Sequence, residues 1–108
     1  MQIDFKDGVL PDKLKAITFR ALFAVARVYE RKGFHFVVTS TTENAPGRLP
    51  NSYHYHGQAF DCRIYRIPKA FLESLCNDMR EALHEIDECF QVVLKPDHIH
   101  VELDRSLL

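Results

Sequence analysis

Apolar residues recur at helical spacing along two long segments of the chain, and both segments predict amphipathic scaffold helices without chemistry of their own. The first helix is predicted to begin at Pro11 or Asp12 and to end at residues 31–33 (RKG). The end is placed there because the positive side chains suit the negative helix terminus and glycine readily adopts the left-handed conformation that follows it. Its apolar positions are Leu14, Ile17, Phe19, Leu22, Phe23, Val25, Ala26 and Val28. The second helix covers residues 68–86 and opens with a proline, which suits the first helical turn. Its apolar side consists of Phe71, Leu72, Leu75, Met79, Leu83 and Ile86.

Four shorter stretches have the composition or alternation of β-strands, and they are residues 34–39 (FHFVVT), 58–64, 90–94 and 98–103. The polar residues 40–51 (STTENAPGRLPN) predict a long loop, and residues 95–97 predict the turn of a hairpin. The order helix, strand, loop, strand, helix, strand, strand is typical of an α+β fold. It predicts a small, mainly antiparallel sheet with the helices packed on one side. Without a repeat or a visible boundary, we expect one domain over residues 1–108.

Charge and composition limit the classes of partner. The 14 basic and 15 acidic residues give a formal net charge of −1, which provides no field for collecting phosphates, so we expect no nucleic-acid partner. No stretch approaches the roughly 20 apolar residues that cross a bilayer, and the start of the chain lacks the apolar core of a secretory signal. We therefore expect no membrane insertion, synthesis in the cytoplasm, and a monomer. The three cysteines lack CxxC spacing and are expected to be buried apolar residues.

Four of the six histidines fall in two tight groups beside carboxylates, His54 and His56 in SYHYHGQAFD and His98 and His100 in PDHIH. Zinc hydrolases commonly use three histidine or carboxylate ligands and leave a fourth position for water. Gly57 permits a sharp turn after His54, so that this side chain and Asp61 on the next strand could converge on one ion. Strand alternation places His98 and His100 on one face, and only one of them need bind metal.

Two motifs connect these residues to a known family. Five positions match SxHxxGxAxD in order, and they are Ser52, His54, Gly57, Ala59 and Asp61. Downstream, Asp97 precedes His100 by three positions in DHIH. In both motifs the chain resembles the zinc D-alanyl-D-alanine carboxypeptidase family, whose relatives include phage L-alanyl-D-glutamate endolysins and, by fold, the Hedgehog signalling domain. The resemblance implies a Hedgehog/DD-peptidase-like fold and a Zn²⁺-dependent hydrolysis of an amide bond in peptidoglycan stem peptides.

The resemblance also implies a role for each matching position. The implied zinc ligands are His54, Asp61 and His100. Asp97 would be the general base and His98 would stabilise the developing oxyanion, while Ser52 would support the loop that carries the first ligand. Family members often bind the substrate carboxylate with an arginine in a context like SGYR. This chain has STTE at residues 40–43, and Arg48 is the candidate substitute.

Several other residues have alternative readings. Glu43 and Glu102 are the other acids considered as the base, and Glu102 ranks below Asp97 because it lies beyond the ligand, away from the start of the strand. His56 occupies a variable position of the motif and is expected to be a loop or cleft residue, with the HxH spacing leaving it as a reserve ligand.

The sequence is compatible with three classes of function. The first is a zinc peptidase of the cell wall, either an endopeptidase or a carboxypeptidase. The second is a binding module that keeps the zinc site and has lost turnover, and Asp97 argues against it because a purely structural site has no evident use for that carboxylate. The third, a metal-dependent phosphoesterase, lacks a basic patch and a second ligand set. The small size, the missing secretory signal and the endolysin-like motifs indicate a phage or prophage lysis enzyme, and a host enzyme is the alternative.

Overall fold

A computed structural model describes residues 1–45 and 47–107, which form two α-helices and one five-stranded sheet. The helices are α1 (Ala16–Lys32) and α2 (Lys69–His84). The strands are β1 (Asp4–Phe5), β2 (Val37–Ser40), β3 (Ala59–Arg63), β4 (Phe90–Leu94) and β5 (His98–Leu103), in the spatial order β1-β2-β3-β5-β4. Only the β1–β2 pair is parallel among the described strands. The α+β class and the mainly antiparallel sheet are therefore confirmed.

The helices cover one face of the sheet and share a core with it. Inward-facing side chains of α1 and α2 pack together with alternate residues of the central strands. These residues include Leu22, Val25 and Tyr29 of α1, Leu75, Met79 and Leu83 of α2, Phe60 and Cys62 of β3, and Ile99, Val101 and Leu103 of β5. The three cysteines are buried and unpaired, as expected from their spacing. Burial of this apolar face is the main stabilising contribution to such a fold.

The predicted start of the first helix is wrong. Helix α1 begins at Ala16, because the preceding residues form a turn in which the Leu14 amide donates to the Pro11 carbonyl. The Lys15 backbone is extended, and its amide donates to the carbonyl of Gly57 at 3.0 Å. A contact between residues distant in sequence thus makes the helix begin later than the apolar pattern predicts. At the other end, Gly33 takes the expected left-handed conformation with φ 76°.

The remaining bounds differ little from the predicted ones. Strands β4 and β5 have the predicted ends, whereas β2 begins at Val37 and α2 ends at His84. Two elements were not predicted, the strand β1, which is two residues long, and a 3₁₀-helical turn at Tyr53–His56 inside the histidine motif. Among the described residues, no helix combines the length and apolar character that crossing a membrane requires.

Candidate metal centre

His54, Asp61 and His100 come together on the sheet face opposite the helices. One ligand atom from each side chain lies within 4.8 Å of the others, a grouping that could hold a metal ion. Asp61 Oδ1 is 2.8 Å from His100 Nδ1 and 3.3 Å from His54 Nε2. The convergence predicted from the two motifs is confirmed for all three residues.

Strand register places Asp61 and His100. In the antiparallel β3–β5 ladder, these two residues are direct partners, so their side chains leave the sheet side by side. The neighbouring pair, Cys62 and Ile99, points into the helix-covered core. Because side chains alternate along a strand, burial of one face orients the ligands on the other.

His54 reaches the same point from the 3₁₀-helical turn. The Ser52 hydroxyl caps this turn by accepting a hydrogen bond from the His54 amide at 3.3 Å. Gly57 ends it with φ 70°, a conformation that residues with a Cβ rarely adopt. A Cβ at Gly57 would overlap the carbonyl oxygen of Lys13 and lie 3.2 Å from the amide nitrogen of Lys15. The turn is thus pressed against the segment before α1, and the His54 side chain is buried.

Each histidine around Asp61 has its outer nitrogen occupied by an acceptor. His54 Nδ1 donates to the carbonyl oxygen of Thr41 at 2.8 Å. His100 Nε2 lies 2.7 Å from Glu102 Oε1, and His98 Nδ1 lies 2.6 Å from Asp97 Oδ1. Metal-binding histidines usually donate their second N–H to a carbonyl or carboxylate in this way. The donor set and its hydrogen bonds therefore suit a metal ion.

Electrostatics at the centre favour an anionic Asp61. Burial acts to raise the pKa of this carboxyl group, but hydrogen bonds from His100 and His54 outweigh it and hold the pKa well below the usual range. Burial acts to lower the pKa of His100, yet the carboxylates of Asp61 and Glu102 raise it overall. Asp61 is consequently ionised at neutral pH, as a carboxylate ligand must be.

An open cleft of about 630 Å³ borders the candidate ligands. Its other lining residues include Arg48, Leu49, Tyr53, Val93, Lys95, His98 and Glu102. His98 Nε2 faces the centre at 3.6 Å from Asp61 Oδ2. Asp97 lies behind His98, outside the cleft lining, with 87% of its side chain exposed, and its hydrogen bond with His98 lowers its pKa. The structure thus brings His98 closer to the centre than Asp97.

Arg48 lies in the cleft wall, where its guanidinium is engaged within its own loop. The group donates to the Ser40 hydroxyl and to the backbone carbonyl of Glu43, and it pairs with the Glu43 carboxylate at 3.3 Å. It also lies over the Tyr55 ring, and only 9% of the side chain is exposed. These contacts hold the loop together and leave little of the charge for a substrate. Ser52, which the resemblance implies as a support for the loop of the first ligand, caps the histidine turn.

Three residues of the site were missed or ranked low from sequence. The Thr41 carbonyl could not have been found, because a backbone acceptor has no signature in the side-chain pattern. Glu102 shares the strand face of His100, and that alternation was the available signal. Lys95 occupies the β4–β5 turn, where a lysine is too common to single out. Away from the centre, His84 bonds the Phe90 carbonyl and His56 is exposed.

Comparison of the sequence with known families and curated proteins identifies no relative. No protein-family model matches the chain, and no curated protein matches it significantly. The resemblance to zinc carboxypeptidases and endolysins therefore rests on the residues of the two motifs. The Hedgehog/DD-peptidase-like assignment stays a prediction.

Proposed function

We propose that this protein is a zinc peptidase that hydrolyses an amide bond in peptidoglycan stem peptides. The observation that carries the proposal is the convergence of His54, Asp61 and His100 at a cleft that also presents His98. Three nitrogen and oxygen ligands with one side open to a cleft are typical of catalytic zinc sites, whereas structural sites usually have four protein ligands. When bound, zinc would lower the pKa of a coordinated water to about neutral and polarise the scissile carbonyl.

The geometry favours a division of labour between His98 and Asp97. The motif alone assigned the general base to Asp97, but the nitrogen that faces the centre is His98 Nε2, and Asp97 contacts the opposite nitrogen of the same ring. His98 can take a proton from the attacking water at Nε2 and return it to the leaving amine, while Asp97 orients the ring and stabilises its positive charge. The protonated ring can also stabilise the oxyanion that the motif assigned to it.

The cleft walls support a peptide that carries a carboxylate. Leu49 and Val93 provide apolar surface, and both are exposed. Lys95 is exposed, and no carboxylate among the described residues pairs with its ammonium group. With Arg48 paired to Glu43, Lys95 is the better-placed cation for an acidic group of a stem peptide. Peptidoglycan stems combine carboxylates with short apolar side chains, and action on the wall would suit a phage lysis enzyme.

Digestion of purified peptidoglycan, with mass analysis of the fragments, tests the proposal. The zinc-loaded protein should release new amino groups, a chelator should abolish the release, and added zinc should restore it. The fragment masses identify the bond and distinguish an endopeptidase from a carboxypeptidase. A protein that holds one zinc per chain and cleaves no wall peptide would instead be a binding module without turnover.

Two variants separate the roles of His98 and Asp97. We expect His98→Gln to lower the rate by about 10²- to 10⁴-fold, the range typical for loss of a general base, and Asp97→Asn to lower it less. Both variants should keep zinc, since neither residue belongs to the ligand group. An Asp97→Asn variant as slow as His98→Gln, with full zinc in both, would return the base to Asp97.

A further inference from the structure

The most informative unassigned contact of the centre lies behind His100. Glu102 stands two residues further along β5 on the same face, and its Oε1 is 2.7 Å from His100 Nε2. The other ring nitrogen, Nδ1, is 2.8 Å from Asp61 Oδ1. The imidazole is therefore held between two carboxylates, one in the ligand group and one outside it. The Glu102 side chain is 22% exposed, so solvent competes only weakly for this contact.

We infer that Glu102 is a positioning residue that fixes His100 as an Nδ1 metal ligand and thereby sets the affinity of the centre for zinc. The inference rests on the metal-binding part of the proposed function and not on hydrolysis. An ionised carboxylate can only accept hydrogen bonds, so it selects the imidazole tautomer with its proton on Nε2. With the Nε2 proton held by Glu102, Nδ1 is the nitrogen that gives up its proton at Asp61 when a metal binds and so becomes the ligand. The same bond limits rotation of the ring.

Comparison with the other ligand histidine strengthens the assignment. His54 receives the equivalent support from the Thr41 carbonyl, a neutral backbone group that no substitution removes. A carboxylate makes its imidazole more basic, and hence a stronger ligand, than a carbonyl does. Glu102 is thus the side chain through which the sequence can adjust the strength of a histidine ligand at this centre.

The same contact separates Glu102 from proton transfer. Its bonded oxygen faces the nitrogen of His100 that points away from Asp61, whereas a base must face the water that attacks the substrate. Replacing a residue that orients a ligand should weaken zinc binding with little effect on the rate of the zinc-saturated protein. Replacing a base should do the reverse.

Zinc affinity, measured by competition with a chromophoric chelator, tests the inference on wild type, Glu102→Gln, Glu102→Ala and the control Glu81→Gln on α2. Loss of such a supporting carboxylate typically weakens metal binding by about 10- to 100-fold, and we expect this for Glu102→Ala. The zinc affinity of Glu102→Gln should lie between those of wild type and Glu102→Ala, because the glutamine amide oxygen still accepts a hydrogen bond from His100 Nε2. The visible spectrum of the cobalt-loaded Glu102→Ala protein should shift, because the ligand ring is no longer held.

The melting temperature of each metal-free variant shows whether the substitution destabilises the fold in general. Loss of a merely structural contact would lower this melting temperature without changing the spectrum of the cobalt-loaded protein. Zinc affinity of Glu102→Ala within twofold of wild type overturns the inference, as does a wild type that binds no zinc. So does a Glu102→Gln variant with full affinity and no hydrolysis, which would make Glu102 the base. If wild type binds zinc tightly but cuts no wall peptide, the proposed function fails while the affinity comparison still decides the role of Glu102.

Discussion

The two sides of the metal centre hold their ligands by different means. On the strand side, Asp61 and His100 are partners in the β3–β5 ladder, and the buried faces of both strands fix where they point. On the loop side, His54 stands on a turn that depends on the Ser52 cap, on the left-handed Gly57 and on a bond to Thr41. The strand side is built from repeating hydrogen bonds and the loop side from single contacts.

This difference sets how each side should respond to substitution. A sheet ladder distributes its support over many backbone bonds, so one surface change leaves the ligand positions intact. The loop has no such redundancy, because each contact is made once. Substitutions in the loop should therefore change both metal affinity and stability, whereas substitutions on the strand face should act mainly through the ligand atoms themselves.

The largest effect is expected at the shared ligand. Asp61→Asn removes the anionic ligand that contacts both histidines, so zinc content and hydrolysis should fall together. The metal-free protein should also lose about 1–3 kcal/mol, since hydrogen bonds to a buried charged group are weakened. Elemental analysis and denaturation in chelator measure the two effects. His56→Ala, an exposed position on the turn that carries His54, is the control and should keep its zinc.

The next largest effect tests the loop side through a pair of glycines. Gly57→Ala and Gly33→Ala both place a Cβ at positive φ, which costs roughly 1–2 kcal/mol at each site. At Gly57 the Cβ also overlaps the Lys13 carbonyl, whereas at Gly33 it meets nothing within 4 Å. We expect Gly57→Ala to be clearly the less stable variant and to bind zinc more weakly, because the turn carries His54. Equal unfolding free energies and zinc affinities for the two variants would show that the close approach of Gly57 to Lys13 does not hold the His54 turn in place.

The strand side of this centre could be predicted from sequence, and most of the loop side could not. Period-two alternation in HIHVEL placed His98 and His100 opposite Ile99 and Val101, and both apolar residues are fully buried. Alternation is local, so it can be read along the chain. The Lys15–Gly57 and His54–Thr41 bonds join residues that are distant in sequence, and nothing in a local pattern encodes them. For the same reason the start of α1 was wrong while both ends of β5 were correct.

The sequence predicted which residues belong to the metal centre better than it predicted the role of each residue there. The motifs placed Asp97 three residues before a ligand, which indicates proximity in the chain but not which ring nitrogen it contacts. Likewise, Arg48 was a candidate for substrate binding because it is a cation in the right loop. Its pairing with Glu43 depends on how that loop folds back on itself, so sequence could not show that the charge is used.

A third, smaller effect separates the two cations of the cleft. Arg48→Lys keeps the charge but loses the forked contacts to Ser40 and Glu43, so we expect a loss of about 1–3 kcal/mol in stability. In Arg48→Lys, the rate of hydrolysis should fall by the same factor for an acidic stem peptide as for its amidated form. Lys95→Gln should leave stability unchanged and raise KM for the acidic peptide alone, because its ammonium group is exposed at the cleft. A carboxylate-selective KM effect in Arg48→Lys would restore Arg48 as the substrate anchor.

The smallest effect is a pH dependence that arises from Glu43 on the loop side. Burial acts to raise the pKa of this carboxyl group, but bonds from the Ser40 hydroxyl and the Thr41 amide, with the nearby Arg48 charge, hold it below the usual value. A depressed pKa adds stability that is present above the unfolded value of about 4.3 and is lost as the pH falls through the folded value. Glu43→Gln lacks this titration. The difference in unfolding free energy between wild type and this variant should therefore be constant near neutral pH and should shrink below about pH 4.3. We expect this difference to be less than about 1 kcal/mol, because the Glu43–Arg48 ion pair is partly exposed. Urea denaturation of both proteins at several pH values in chelator measures it, with metal-linked protons removed from the comparison. A stability difference that stays the same down to pH values well below 4 would show that Glu43 does not hold the loop through its charge.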